Sequence, residues 1–416
     1  IIGMAQNYIG SNNINLLMPN GQFGTRLQGG KDAASPRYIH TELNPLALTI
    51  FSKEDLPILN YIDDDGDMIQ PEFYLPVIPM VLINGIIGIG TGFSCNIPCY
   101  NPSEIIKIYK NLLKSENLEE SLENIKNLKP YYTGHLGKIE VKDGDKCISK
   151  GVFKRISANQ IEITELPVGT WTQDYKEFLE KCLDTNKLKD YDSFYTENSV
   201  RFILHFEAGS VNNLLKDDKD TGLSKFEKEF KITTSKLLST TNMHMFDDKG
   251  TITKMKNVGE IMSKFYKFRL GWYQTRKDYI IDKLKKELII LDSRIKFILD
   301  IIEDRLKINN RKKTDIEEYL QENDYPKKKN ENDTKSKETY DYLIKMPIWN
   351  LTYEKKEDLL KELNNKKEML SDIEKKTIES MWFSDLELFE TEYKKYVSTR
   401  LSELDQVPKS KKKQKL

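Results

Sequence analysis

The sequence predicts a multidomain α+β chain that ends in long paired helices, and three observations carry that prediction. Ile281, Leu284, Leu288, Leu291, Ile295, Ile298 and Ile302 are spaced alternately three and four residues apart, a heptad seam. Upstream, Lys138–Val141, Ile161–Thr164 and Val200–Phe206 show the alternation or β-branched content of strands, bounded by turn residues. Before them, residues 1–102 are rich in Gly, Pro and Asn with few Lys, which predicts short helices and turns around a compact core. The chain has 416 residues, and such a length suits about three domains.

Taken in order, residues 1–102 form a first region without long periodic helices. A helix over Pro102–Leu113 opens the second, residues 103–255, where helices mix with strands. Residues 256–402 hold the heptad helix and a second seam of Leu359, Leu363, Leu370 and Ile373, with Lys366 at one of its core positions. Two matching periods predict an antiparallel coiled-coil hairpin capped by a small helical insert. Within that insert Lys327–Glu338 is polar and low in complexity, as a disordered loop would be. Residues 403–416 read as a basic tail ending in KSKKKQKL, suited to a nuclear-localisation signal, a DNA contact or a solvated end.

Several classes of protein are set aside by composition. Four cysteines (Cys95, Cys99, Cys147, Cys182) are too few for a disulfide scaffold and imply a reducing compartment. Cys95 and Cys99 have no second Cys/His pair to complete a zinc site. The most apolar stretch, Ile78 to Phe93, is broken by Pro79, Asn84 and glycines, so no transmembrane helix is expected. Gly85, Gly88, Gly90 and Gly92 match neither a dinucleotide nor a Walker pattern. Asp63, Asp65 and Asp67 read as a solvated acidic loop between helical regions, without metal. His40, His135, His205 and His244 are scattered and make no ligand spacing.

Net charge is zero, 65 Lys+Arg against 65 Asp+Glu, yet its distribution is uneven. Residues 1–100 hold only Arg26, Lys31, Arg37 and Lys53 as cations, and three of these cluster in the block Gly10–Asn44. Affinity for a polyanion depends on which charges meet phosphate, so the neutral sum excludes nothing. In that block glycines let backbone turn sharply, and Gln22, Thr25 and their neighbours can donate to phosphate oxygens. Tyr38 follows Arg37. A phenol attacks phosphorus poorly until it loses its proton, and an adjacent cation favours that loss and steadies a phosphorane. The other reading makes Tyr38 one of 21 tyrosines, half buried in a helix.

The block GSNNINLL, PNGQFGTR, GGKDAA and RYIHTELN resembles the segment around the active-site tyrosine of the eukaryotic-type (type IIA) DNA topoisomerase II family. The resemblance continues through PEFYLPVIPMVLINGIIGIGTGFSCNIP, NPSEI, ITELPVGTWT, SKFYKFRLGWYQTRK and YDYLIKMPIWNLT, in family order over nearly the whole chain. It implies a winged-helix remainder over 1–102, an α/β tower domain over 103–255, and a coiled coil with a small helical exit-gate domain for dimerisation over 256–402. Tyr38 then matches the nucleophile that forms a 5′-phosphotyrosyl link, and Arg37 the arginine that binds the scissile phosphate. Arg26, Lys31, Gln22 and Thr25 match the DNA-facing surface, and Ile89 the isoleucine that wedges between base pairs and bends DNA.

The same resemblance implies a homodimer on double-stranded DNA that relaxes and decatenates it by strand passage. ATP would bind an ATPase domain, and Mg2+ the carboxylates of a TOPRIM domain, both outside this chain, which reads as an excerpt of a longer protein. The contexts QFGTR and ITELP resemble the eukaryotic-type rather than the gyrase branch. High Lys, Asn and Ile usage points to a protist or large DNA virus, hence to the nucleus or a viral replication compartment. The alternative is a non-catalytic DNA-binding, architectural protein on a topoisomerase-like fold.

Overall fold

The computed structural model describes residues 1–115, 125, 128–142, 146–217, 222–329 and 338–404. The basic tail beyond 404 and most of the low-complexity loop over 327–338 lie outside them. The described chain divides into two compact units, residues 1–270 with 382–416 and residues 271–381. Composition suggested different cuts, at 102 and 255. The first two expected regions fall in one unit, and the C-terminal residues return to it.

Residues 1–60 of the first unit are loops and single turns, held by side chains that satisfy backbone. Asn13 is buried, and its amide donates to the carbonyls of Ile83 (3.0 Å), Tyr100 (3.1 Å) and Tyr131 (3.0 Å). Its Oδ1 accepts from the Thr133 N–H at 2.8 Å and hydroxyl at 3.0 Å. A buried loop is tolerable only when its carbonyls find such donors. Arg400 serves the same segment, donating to the carbonyls of Asn7 (2.7 Å), Asn12 (2.9 Å) and Asn13 (2.6 Å).

Two hairpins follow that composition did not predict. β1 (Tyr61–Asp64) pairs antiparallel with β2 (Asp67–Pro71), and β3 (Ile86–Gly90) with β4 (Phe93–Ile97). Their two-residue turns, Asp65–Gly66 and Thr91–Gly92, have positive φ at both positions, the geometry that matches strand twist. The D-x-D-x-D string is thus part of a β-hairpin and not a loop between helices. Asp63 Oδ1 accepts the Gly66 N–H at 2.6 Å.

Helix α1 (Pro102–Lys114) starts with Asn101 accepting from the Ser103 N–H at 2.9 Å and proline at its first position. Strands β5 (Ile139–Lys142) and β6 (Lys146–Lys150) then build a three-stranded sheet with β11 (Thr233–Thr234). Strands β7 (Val152–Arg155), β8 (Gln160–Glu165), β9 (Asp190–Ser193) and β10 (Phe202–His205) form an antiparallel sheet in the order β7-β8-β10-β9. On β8 and β10, Ile161, Ile163, Phe202 and Leu204 are buried against Tyr175, Leu179 and Cys182 of α2 (Thr172–Asp184). The segment between β8 and α2, residues 165–173, is therefore fixed at both ends. A last hairpin joins β12 (His244–Phe246) to β13 (Ile252–Lys254).

Helices α3 (Val258–Ile302) and α6 (Ile378–Leu404) contribute to both units. In the first unit Trp382 is fully buried, stacked on Tyr266 and donating its Nε1–H to the Val77 carbonyl at 3.0 Å. That contact explains why residues from 382 onward belong here.

In the second unit the remainder of α3 packs on α5 (Tyr353–Lys375), with Leu291, Ile295 and Ile298 against Leu359 and Leu363. Lys285 pairs with Glu374 and Lys366 with Glu287, so the two helices run antiparallel. Lys366 keeps its seam position tolerable by reaching that carboxylate. A separate cluster packs α4 (Lys313–Glu322) through Ile316 and Leu320 onto Phe297, Tyr325 and Leu343. Among the described residues no helix is long and apolar enough to cross a membrane.

Candidate DNA-cleavage site

Tyr38 ends a 3-10 turn, Pro36–Tyr38, whose first position suits the fixed φ of proline. The side chain is 69% exposed and stands clear of the core. The Arg37 guanidinium lies 4.8 Å from the centroid of its ring. This contact places a cation beside the phenol. Of the two readings of Tyr38, half-buried packing residue or presented group, the geometry matches the second.

The loop that precedes this turn is closed by backbone. Gly30 N–H donates to Thr25 O and Ala34 N–H to Gln22 O, each at 2.9 Å. Gln22, Lys31 and Arg37 are exposed on this loop and its exit. Thr25 is committed elsewhere. Its hydroxyl donates to Asp32 Oδ2, its N–H to Asp32 Oδ1 at 2.9 Å, and its oxygen accepts the Leu27 N–H at 3.2 Å.

Arg26 departs from the sequence expectation. It is only 3% exposed, paired with Glu165 and donating to the Leu166 carbonyl at 3.4 Å. A guanidinium enclosed in this way has no surface from which to reach a phosphate. Its role in the structure is to tie the loop to the 165–173 segment. Trp171 does the same from the other side: a Cβ on Gly29 would lie 2.3 Å from its ring, and Gly29 has φ +61°. Only glycine permits both that approach and that backbone. Gln173 N–H completes the seating by donating to Leu27 O at 2.9 Å. Glu165, Trp171 and Asp32 were given no role by the sequence, although ITELPVGTWT held the clue, an acid and a tryptophan around a glycine turn.

His135 lines the far side of the Arg26–Glu165 pair. Its Nδ1 faces Glu165 Oε2 at 3.9 Å and its Nε2 lies 3.3 Å from the Ser149 hydroxyl. Desolvation lowers its pKa, opposed by Glu165 and reinforced by Arg26. The ring therefore sits neutral against a pair whose charges already balance.

Ile89 stands on the separate β3–β4 hairpin, next to its turn, and is 81% exposed. The hairpin is steadied along β4: Asn96 N–H donates to Asn242 O at 2.8 Å, His244 Nδ1–H to Ser94 O at 3.0 Å, and Asn242 to the Ser94 hydroxyl at 3.2 Å. Ser94 is the cross-strand partner of Ile89. Among the described residues, no group of three or more His, Cys, Asp or Glu is placed to hold a metal ion.

The site thus combines an exposed tyrosine beside an arginine, a loop seated on residues 165–173 and a protruding apolar hairpin. Residues 1–387 match the family of the DNA gyrase/topoisomerase IV A subunit, and the chain belongs to that family. Relatives include DNA topoisomerase 2 of Penicillium chrysogenum, 38% identical over 95% of this chain and 25% of that protein. DNA topoisomerase 2 of Acanthamoeba polyphaga mimivirus is 37% identical over 94% of this chain and 35% of that protein. The DNA-binding, cleavage and re-ligation domain of Plasmodium falciparum topoisomerase II superposes with a TM-score of 0.82 at 37% identity, over 97% of this chain and 56% of that one. The chain thus spans only a part of the relatives it matches.

Proposed function

We propose that this chain is the DNA breakage–reunion part of an ATP-dependent type II DNA topoisomerase, with Tyr38 as its nucleophile. The observation that carries the proposal is the exposed phenol on its proline-started turn with the Arg37 guanidinium against the ring. In the step, Tyr38 Oη bonds to a backbone phosphorus and the bond to the 3′ oxygen breaks. That oxygen leaves with a proton as a 3′-hydroxyl, and the phosphate stays on the 5′ end as a tyrosyl ester. Reversal reseals the strand without a cofactor of its own, because the ester conserves the bond. Arg37 binds the scissile phosphate and offsets charge on the phosphorane. Lys31 and Gln22 contact flanking phosphates, and Ile89 wedges into the duplex. Arg26 and Thr25 act indirectly, by holding the loop.

In this reading two copies cleave the two strands of one duplex, a second duplex passes through, and DNA is relaxed and decatenated. Residues 1–102 serve as the winged-helix remainder, 103–255 as the tower, and 256–402 as the coiled coil and exit gate. ATP and magnesium fall to domains outside this chain. Relatives from nucleated organisms and a giant virus support a nucleus or a viral replication compartment as the place of action. The test incubates full-length protein with supercoiled DNA and magnesium and traps covalent adducts with denaturant. Adducts are expected with the wild type and none with Tyr38→Phe. Adducts that persist in the variant overturn the assignment, and DNA binding without adduct in the wild type favours the architectural reading.

A further inference from the structure

We propose that Ile87 is a second DNA-contacting side chain of the β3–β4 hairpin, lying against the groove wall next to the base step that Ile89 opens. The inference rests on the reading of Ile89 as a wedge and adds a partner to it. In the ladder, Ile87 pairs with Asn96 and Ile89 with Ser94, so the two isoleucines share one face of the ribbon. Ile87 is 61% exposed, far more than a packing role requires. Residues two apart on a strand are separated by about 7 Å, which is about twice the 3.4 Å rise of a base pair. With Ile89 between two base pairs, Ile87 reaches the sugars flanking the opened step.

Three features commit this face to DNA. Residues 73–103 contain no Asp, Glu, Lys or Arg, in a chain that is 31% charged. The ribbon itself therefore presents no carboxylate to phosphate, and Ser94, opposite Ile89, is neutral. The contacts from Asn242 and His244 brace the ribbon along β4, while Ile87 and Ile89 remain exposed. Apolar side chains that enter between base steps work best with apolar neighbours that exclude water from the widened minor groove.

The experiment uses full-length protein with magnesium and a duplex oligonucleotide carrying donor and acceptor dyes at its ends. Bending is read by energy transfer, and cleavage positions are mapped by sequencing trapped adducts on plasmid DNA. Ile87→Ala is expected to lower the bent fraction by on the order of tenfold, the equivalent of one apolar side chain left in water. It is also expected to flatten the preference among cleavage sites, with unbent association and thermal stability retained. Wild-type bending and an unchanged map in Ile87→Ala, with Ile89→Ala impaired, overturn this inference alone. Unimpaired bending in Ile89→Ala overturns the wedge reading beneath it. A changed oligomeric state in Ile87→Ala with intact bending marks the face as a protein contact and likewise overturns the inference.

Discussion

Glu165→Gln tests whether the buried Arg26–Glu165 pair holds the loop before Tyr38 in place. The substitution keeps the shape but only one acceptor oxygen, where the carboxylate takes the N–H of Leu166 on Oε1 (2.8 Å) and that of Leu136 on Oε2 (3.3 Å). It removes the charge opposite Arg26. Both side chains are almost wholly enclosed, so water cannot compensate the orphaned guanidinium. Breaking one half of such a pair costs about 3–5 kcal/mol, most of it desolvation left unanswered. The cheapest escape is local: the loop lifts from the 165–173 segment and Arg26 reaches solvent. Opening is then expected to be at least about a hundredfold more frequent, since about 1.4 kcal/mol changes an equilibrium tenfold.

Hydrogen exchange reads this directly. The amides of Gln173, Gly30 and Ala34, which bond across and within the loop, exchange at least about a hundredfold faster in the variant. Amides of α4, in the other unit, keep their rates. Adding Arg26→Met restores most of the protection, because no charge then remains to be solvated. Exchange within about threefold of wild type at all three amides refutes the argument. It would mean that Trp171 and the glycine seat hold the loop without the ion pair.

Two further outcomes follow from the same region. His135 has its pKa lowered by burial, so the unfolded chain binds the extra proton more readily. Its stabilising share is complete above the usual value of 6.5 and is lost as pH falls toward the depressed folded value. Urea midpoints measured between about pH 7.5 and pH 5 are expected to decline, less so in His135→Gln. Gly29→Ala forces a methyl into the Trp171 ring at a positive φ. It is expected to cost about 2 kcal/mol or more and to shift Trp171 emission, as seen against a Trp171→Phe background.

The helices and the heptad seam were legible because each repeats one physical rule over many residues. Leu291, Ile295 and Leu363 meet where their period put them. Of the sheet under α2, β8 and β10 were legible for the same reason, whereas β7 and β9 were not foreseen. The two early hairpins were not predicted, although Asp65–Gly66 is a strong turn signal, because β1 and β3 lie exposed and lack an alternating core face. At the site, Tyr38 and Arg37 were singled out through a motif, and both are exposed. Arg26 was misplaced because a cation in a glycine-rich loop looks the same in sequence whether it faces phosphate or a buried carboxylate. The partner, Glu165, lies far along the chain, and only the fold brings the two together.

The uncharged run over residues 73–103 also bears on how the chain survives its own synthesis. An apolar hairpin with a free strand edge is a template for other chains, and nearby charges are the usual protection. This run has none. Prolines at 76, 79, 98 and 102 interrupt it on either side of the hairpin, and Gly88 and Gly90 dilute β3 itself. Backbone chemistry thus replaces electrostatics as the guard against aggregation, since proline cannot donate to a growing ladder and glycine weakens one.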